Sequence, residues 1–364
     1  MRVKSAKRWK AKNRGAALSS SPKQIGPELS LIDAQSPRPR AVIFGIEAKE
    51  LSQAERDFFA AANPLGFIIF ARNCDNPAQL RKLTDDLRAA VGRNAPVLVD
   101  QEGGRVARMK PPHWTAFPAA SHYGDACATD KKAGQGEVVT DTRKLAAELL
   151  ASGVTVNCAP VLDVRYPETH DAIGNRAYSQ DPVTVGELGG LISDTYLQSG
   201  IVPIIKHIPG QGRATLDSHK ALPRVAATMA EMDATDFAPY RDILKHRFAS
   251  AVWGMVSHIV YEAVDTQHPA SCSAKVINDV IRRHLAFDGL LLSDDLSMDA
   301  LSTYGDEADR AVHVLKAGCD IALHCNGKLD EMKRVAAKMP PMTDIAVDRY
   351  NRSVRWMQQN KPAA

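Results

Sequence analysis

From Ala41 to Cys325 the chain alternates short apolar runs with longer helical stretches, and it does so eight times. Runs such as Phe67-Ile-Ile-Phe70 and Leu290-Leu-Leu292 are continuously apolar, the pattern of strands buried on both faces. Eight such strands, each separated from the next by a helix, predict one (β/α)8 barrel of the TIM type. The strands are read at residues 41–47, 66–72, 96–102, 154–164, 201–207, 251–260, 289–294 and 320–325. The main helices fall at 51–62, with Ser52 near its N-cap, then from Asp75 or Asn76 to 91, and at 137–152, 181–199, 229–248, 274–285 and 306–317. An open doubly wound sheet is the rival. No Gly-x-Gly-x-x-Gly follows the first strand, so the dinucleotide-binding form of that rival lacks support.

Composition matters mainly at the N-terminus. Residues 1–40 hold ten Lys/Arg against two Asp/Glu, a net of +8, whereas the other 324 residues hold 36 against 40, a net of −4. The basic character belongs to a tail rich in Ser, Pro and Lys, read here as a disordered, solvated extension; residues 41–360 form the barrel. The tail lacks the apolar core of a secretory signal. No run approaches the ~18 apolar residues of a membrane span. Six scattered cysteines without a Cys-x-x-Cys pair argue against a metal knuckle or a disulfide framework and fit a reducing compartment. The expectation is a cytoplasmic monomer that binds neither nucleic acid nor membrane.

In a barrel, function gathers at the C-terminal strand ends. The fifth strand delivers Lys206 and His207 there; Pro209, Gly210 and Gly212 then break it into a loop carrying Asp217 and His219. In an extended segment, positions i and i+2 share a side, so Asp217 can orient the His219 ring and stabilise its protonated form, as a general acid/base requires. Three such residues alone also read as a solvated loop. The third strand ends in Asp100-Gln-Glu102-Gly-Gly-Arg105-Val-Ala-Arg108, where charges at an apolar strand end need partners. A structural Asp–Arg pair is the bland alternative. The fourth strand leads through Asn157 and Asp163 to Arg176. The seventh ends in Asp294-Asp295; successive residues alternate faces, so one of the two points into the barrel mouth. His258 stands at the sixth strand end and can line the site.

The stretch Lys206-His-Ile-Pro-Gly-Gln-Gly, followed by Asp217-Ser-His219 and Leu222-Pro223, resembles the signature of family 3 glycoside hydrolases of the β-N-acetylhexosaminidase type, the NagZ-like branch. That pattern is close to Lys-His-Phe-Pro-Gly-His-Gly, so Ile208 and Gln211 depart from it. The Asp100-Gln-Glu-Gly-Gly-Arg segment and the 157–164 and 173–179 segments extend the resemblance. It implies that Asp100, Arg108, Arg176, Lys206 and His207 bind the sugar. It selects Asp294 as nucleophile, leaving Asp295 to cap the next segment. Many members carry a second α/β domain; the 39 residues after Cys325 are too few for one.

The implied activity is a retaining exo-β-N-acetylglucosaminidase that removes terminal GlcNAc from 1,6-anhydro-MurNAc muropeptides in peptidoglycan recycling. Asp294 forms a glycosyl-aspartate, and the Asp217–His219 dyad supplies and removes the proton. No metal or other cofactor is called for. Two rivals stand beside it. One is a β-glucosidase or glycoside phosphorylase of the same family, since an uncharged imidazole repels an incoming phosphate less than a carboxylate does. The other is a non-catalytic sugar-binding protein.

Overall fold

The computed structural model describes residues 27–218 and 220–360. Eight strands close into a barrel: β1 (Arg40–Gly45), β2 (Pro64–Ile69), β3 (Val97–Val99), β4 (Val156–Asn157), β5 (Val202–Ile208), β6 (Trp253–Val256), β7 (Leu291–Asp295) and β8 (Ile321–His324). Every neighbouring pair is parallel, and β1 closes the ring on β8. The expected single (β/α)8 barrel is therefore the fold. The middles of its strands are apolar because both faces are covered: Ile43, Phe67, Leu98, Ile204 and Leu291 are all fully buried.

Local chemistry sets the helix boundaries. Ser52 and Glu55 form a capping box at the start of Gln53–Ala62. Asn76 caps Pro77–Val91, with Pro77 in the first turn, where its missing N–H costs nothing.

Three differences from the sequence reading have physical causes. The fourth strand is two residues long, because Pro160 offers no N–H to the ladder; the chain keeps contact with β5 through the isolated Val161–Lys206 bridge and Leu162 N–H to Lys206 O. The helix expected over 229–248 is two short helices, Met229–Ala234 and Ala238–Ile243, the second opening on Pro239. A proline disrupts a helix interior but fits a first turn. Residues 27–39, read as part of the extension, lie against the barrel. Leu29 and Ile32 are buried. Ile32 exchanges two hydrogen bonds with Asn351, and Ser30 pairs with Asn94 and the Tyr350 hydroxyl. The body of the fold thus begins well before residue 40. Residues 1–26 lie outside the described residues.

Among the described residues no helix is long and apolar enough to cross a membrane.

Candidate active site

A cavity of 310 Å³ opens at the C-terminal ends of the strands. Asp100, Arg108, Arg176, Lys206, His207, Asp217 and Asp294 all border it. The sequence-derived set is thus brought together, except for His219, which lies outside the described residues.

Lys206 and His207 are adjacent, so a regular strand would turn one of them away. The ladder between β5 and β6 prevents this: Lys206 pairs with Met255 and Ile208 with Val256, leaving His207 as one extra residue. Such a bulge re-aims side chains, and both residues reach the cavity. A similar irregularity lies between β7 and β8, where Ile321 pairs with Leu292 but Leu323 with Asp295. Asp294 and Asp295 consequently both border the cavity, against the expectation from simple alternation. They are held differently. Asp295 accepts from Ser297 N–H (3.0 Å), Ser297 Oγ (2.5 Å) and Cys325 N–H (3.2 Å), which ties it to the turn after the strand. Asp294 Oδ1 accepts from the Asp295 N–H at 2.8 Å.

Beneath this mouth runs a buried ionic network. Lys206 Nζ lies 2.8 Å from Asp100 and 2.6 Å from Glu102. Glu102 also takes Arg176 through two hydrogen bonds of 2.8 Å, a bidentate pair. Asp100 takes Arg108 at 3.1 Å. Lys206 is 2 % exposed. Burial opposes its charge, yet Asp100 and Glu102 push its pKa above the ordinary lysine value. Burial likewise opposes ionisation of Asp100 and Glu102. Lys206 with Arg108 holds the first below the usual carboxylate range, and Arg176 with Lys206 the second. Lys206, Asp100 and Glu102 therefore stay charged at neutral pH. Gln101 braces the loop that delivers Arg108: its carbonyl accepts from Arg108 and Met109 N–H, and its amide donates to Met109 O.

Glu102 and Asp163 had no role in the sequence reading. For Glu102 a signal existed, since Asp100 and Glu102 stand two apart at a strand end and so share a side. For Asp163 none did: its partner, His207, is 44 residues away. His258, a candidate to line the cavity, is not among its bordering residues; it is buried, with Ser271 Oγ and the Asp295 carbonyl at its two ring nitrogens. Gln211 spans the loop after β5; its N–H donates to Asp163 and its amide to Ser218 Oγ at 3.3 Å. Among the described residues no group of three or more His, Cys, Asp or Glu is arranged to hold a metal ion.

A positively and negatively charged cleft at the C-terminal face of a barrel, with carboxylates on a strand end and on an adjacent loop, is suited to acid/base and nucleophilic chemistry on a neutral polyol. Comparison with known proteins narrows this. The model of the glycosyl hydrolase family 3 N-terminal domain matches residues 28–357. A β-hexosaminidase of Bordetella avium is 36% identical over 316 residues, covering 86% of this chain and 88% of that protein. Among solved structures, NagZ of Neisseria gonorrhoeae in complex with N-trifluoroacetyl-D-glucosamine superposes with a TM-score of 0.79 at 30% identity, over 88% of this chain and 93% of that one. A family 3 β-N-acetylglucosaminidase from Paenibacillus sp. gives 0.78 at 27% identity, over 89% of this chain but 62% of its own length. The barrel, the cleft and these matches agree, and the chain belongs to glycoside hydrolase family 3, in its NagZ-like β-N-acetylhexosaminidase branch.

Proposed function

We propose that the protein is a retaining exo-β-N-acetylglucosaminidase acting on GlcNAc linked to 1,6-anhydro-MurNAc peptides, in the cytoplasmic recycling of peptidoglycan. The observation that carries this reading is the convergence of Asp294 and Asp217, from a strand end and a separate loop, on one cavity with Asp100, Arg108, Arg176, Lys206 and His207. Its 310 Å³ stands at the small end of ligand pockets, which suits one terminal sugar rather than the interior of a chain. The N-acylglucosamine bound by the gonococcal relative supports the same sugar class.

In the first step an Asp294 oxygen attacks the anomeric carbon. The glycosidic C–O bond breaks, and His219, oriented by Asp217, gives its proton to the departing oxygen. In the second step His219 takes a proton from water, whose oxygen attacks the same carbon and frees Asp294. Two displacements restore the β configuration. The cations of Arg108, Arg176 and Lys206, held by Asp100 and Glu102, provide a preorganised polar lining for the sugar hydroxyls. No cofactor takes part, and the enzyme works as a monomer.

Product analysis after incubation with GlcNAc-1,6-anhydro-MurNAc peptide and the matched glucoside tests the reading. Release of β-GlcNAc from the first alone is expected, with added phosphate leaving the product unchanged. Preferential cleavage of the glucoside, or formation of sugar-1-phosphate, would overturn it.

A further inference from the structure

Asp163 is fully buried, and both of its oxygens are engaged. Oδ1 accepts from the backbone N–H of His207 (3.2 Å) and of Gln211 (2.6 Å). Oδ2 lies 2.7 Å from His207 Nδ1. A carboxylate only accepts, so a neutral His207 ring carries its proton on Nδ1 and its lone pair on Nε2. Arg176 Nη2 lies 3.5 Å from Nε2, the outer limit of a hydrogen bond, so the lone pair stays available to a closer donor. Since His207 borders the cavity, the group it offers there is an acceptor.

We propose that Asp163 is a positioning residue that fixes His207 as the Nδ1–H tautomer, so that Nε2 accepts from one hydroxyl of the bound sugar and the site selects for a hydroxyl donor at that position. The proposal rests on the reading of this cavity as the sugar site. Among the polar groups bordering the cavity, Arg108, Arg176 and Lys206 can only donate. A hydroxyl that receives from one of these cations and donates to Nε2 has both capacities used. Fluorine at the same carbon brings no proton and leaves the buried lone pair unmatched, which a site built for a hydroxyl rejects strongly.

Asp163→Asn inverts this arrangement with almost no change of shape. The two backbone N–H groups at Oδ1 demand an oxygen, so the new NH₂ must occupy the Oδ2 position. There it donates to His207 Nδ1, moves the ring proton to Nε2, and sets one donor against another at Arg176. A comparable Asp→Asn change behind a catalytic histidine in serine proteases keeps the geometry and fails through the wrong tautomer.

The experiment has two arms on the full-length enzyme. Long-range ¹H–¹⁵N spectra of the histidine rings in the free enzyme, with His207→Gln used to assign the signal, read the tautomer. Wild type should be protonated at Nδ1 only, and Asp163→Asn at Nε2. Competitive inhibition by GlcNAc and its 3-, 4- and 6-deoxyfluoro analogues reads the selectivity. One analogue should bind wild type roughly 10- to 100-fold more weakly than GlcNAc, and Asp163→Asn should shrink that ratio at least tenfold. A wild-type ring protonated at Nε2, or at both nitrogens, overturns the proposal. So does an Asp163→Asn enzyme that weakens all four sugars equally, as a merely structural loss would. A ring protonated at Nδ1 in an enzyme that binds none of the sugars overturns the selectivity together with the sugar-site reading. If Asp163→Asn does not fold, the wild-type spectrum and analogue series decide by themselves.

Discussion

Replacing Lys206 by Met isolates what the buried network contributes. The thioether keeps most of the side-chain volume and removes the charge, leaving Asp100 with Arg108 alone and Glu102 with Arg176 alone. Both carboxylates are mostly buried, with side chains 17% and 6% exposed. Removing one partner of a buried ion pair costs about 3–5 kcal/mol. At roughly 2 °C per kcal/mol for a domain of this size, the midpoint should fall by about 6–10 °C at pH 7.5. The pH dependence identifies the cause. In wild type, Asp100 and Glu102 titrate below their ordinary values. Their stabilisation is therefore complete above the unfolded carboxylate pKa and disappears only as the pH drops through the lower, folded values. Between pH 8 and 5 it is flat. Without Lys206, burial raises the folded pKa of both groups relative to wild type. Protonation in the folded state then relieves the variant as the pH falls, and the gap to wild type should narrow between pH 7.5 and 5. Thermal unfolding followed by circular dichroism at both pH values measures it. A gap of the same size at both would show that packing, not charge, was lost, and no gap at all would refute the network's role.

Three further outcomes are expected. In His219→Ala, a dinitrophenyl GlcNAc glycoside should give a burst of dinitrophenol and a GlcNAc adduct that peptide mapping places on Asp294; an adduct on Asp295, or released sugar of inverted configuration, would defeat the assignment. Gln211→His should leave kcat/KM within about threefold, because an imidazole can replace the amide as donor to Ser218; a hundredfold gain in turnover would show that Gln211 impairs the wild-type enzyme. A chain beginning at residue 27 should match the full chain in turnover and midpoint. One beginning at residue 40 loses the burial of Leu29 and Ile32, worth about 1.5–3 kcal/mol each, so an unchanged midpoint would mean that these contacts contribute nothing.

The barrel was legible because its strands are buried on both faces and its helices are punctuated by Ser52, Asn76 and similar caps. What escaped the sequence reading depends on distant partners. Leu29 and Ile32 look unremarkable in a polar tail; they are buried where Asn351 bonds the Ile32 backbone and Tyr350 donates to the Ser30 carbonyl, both more than 300 residues later. The pairing of Glu102 with Arg176 spans 74 residues. Asp217 and Asp294 were readable as candidates because loops and strand ends are where a barrel keeps its polar groups. The pairs that orient their surroundings belong to the tertiary fold. His258 illustrates the opposite error: a histidine at a strand end is attractive as a site residue, yet Ser271 and the Asp295 carbonyl occupy both its nitrogens.

The alternation rule that separates inward from outward side chains fails at the same two places where the chemistry is concentrated. On β5 one extra residue lets Lys206 and His207 share a face, and on β7 another lets Asp294 and Asp295 do so. Each irregularity gives up regular ladder pairing, and each is secured by bonds that a straight strand would not make. Asp163 grips the backbone of His207 and Gln211, while Asp295 grips Ser297 and Cys325. These two carboxylates therefore do related work. They hold the strand ends in their departed course so that the neighbouring residue, His207 in one case and Asp294 in the other, faces the cavity. At β7 the adjacent pair divides into one group for the site and one for the strand, whereas at β5 both members of the pair border the cavity and the holding carboxylate comes from 44 residues away.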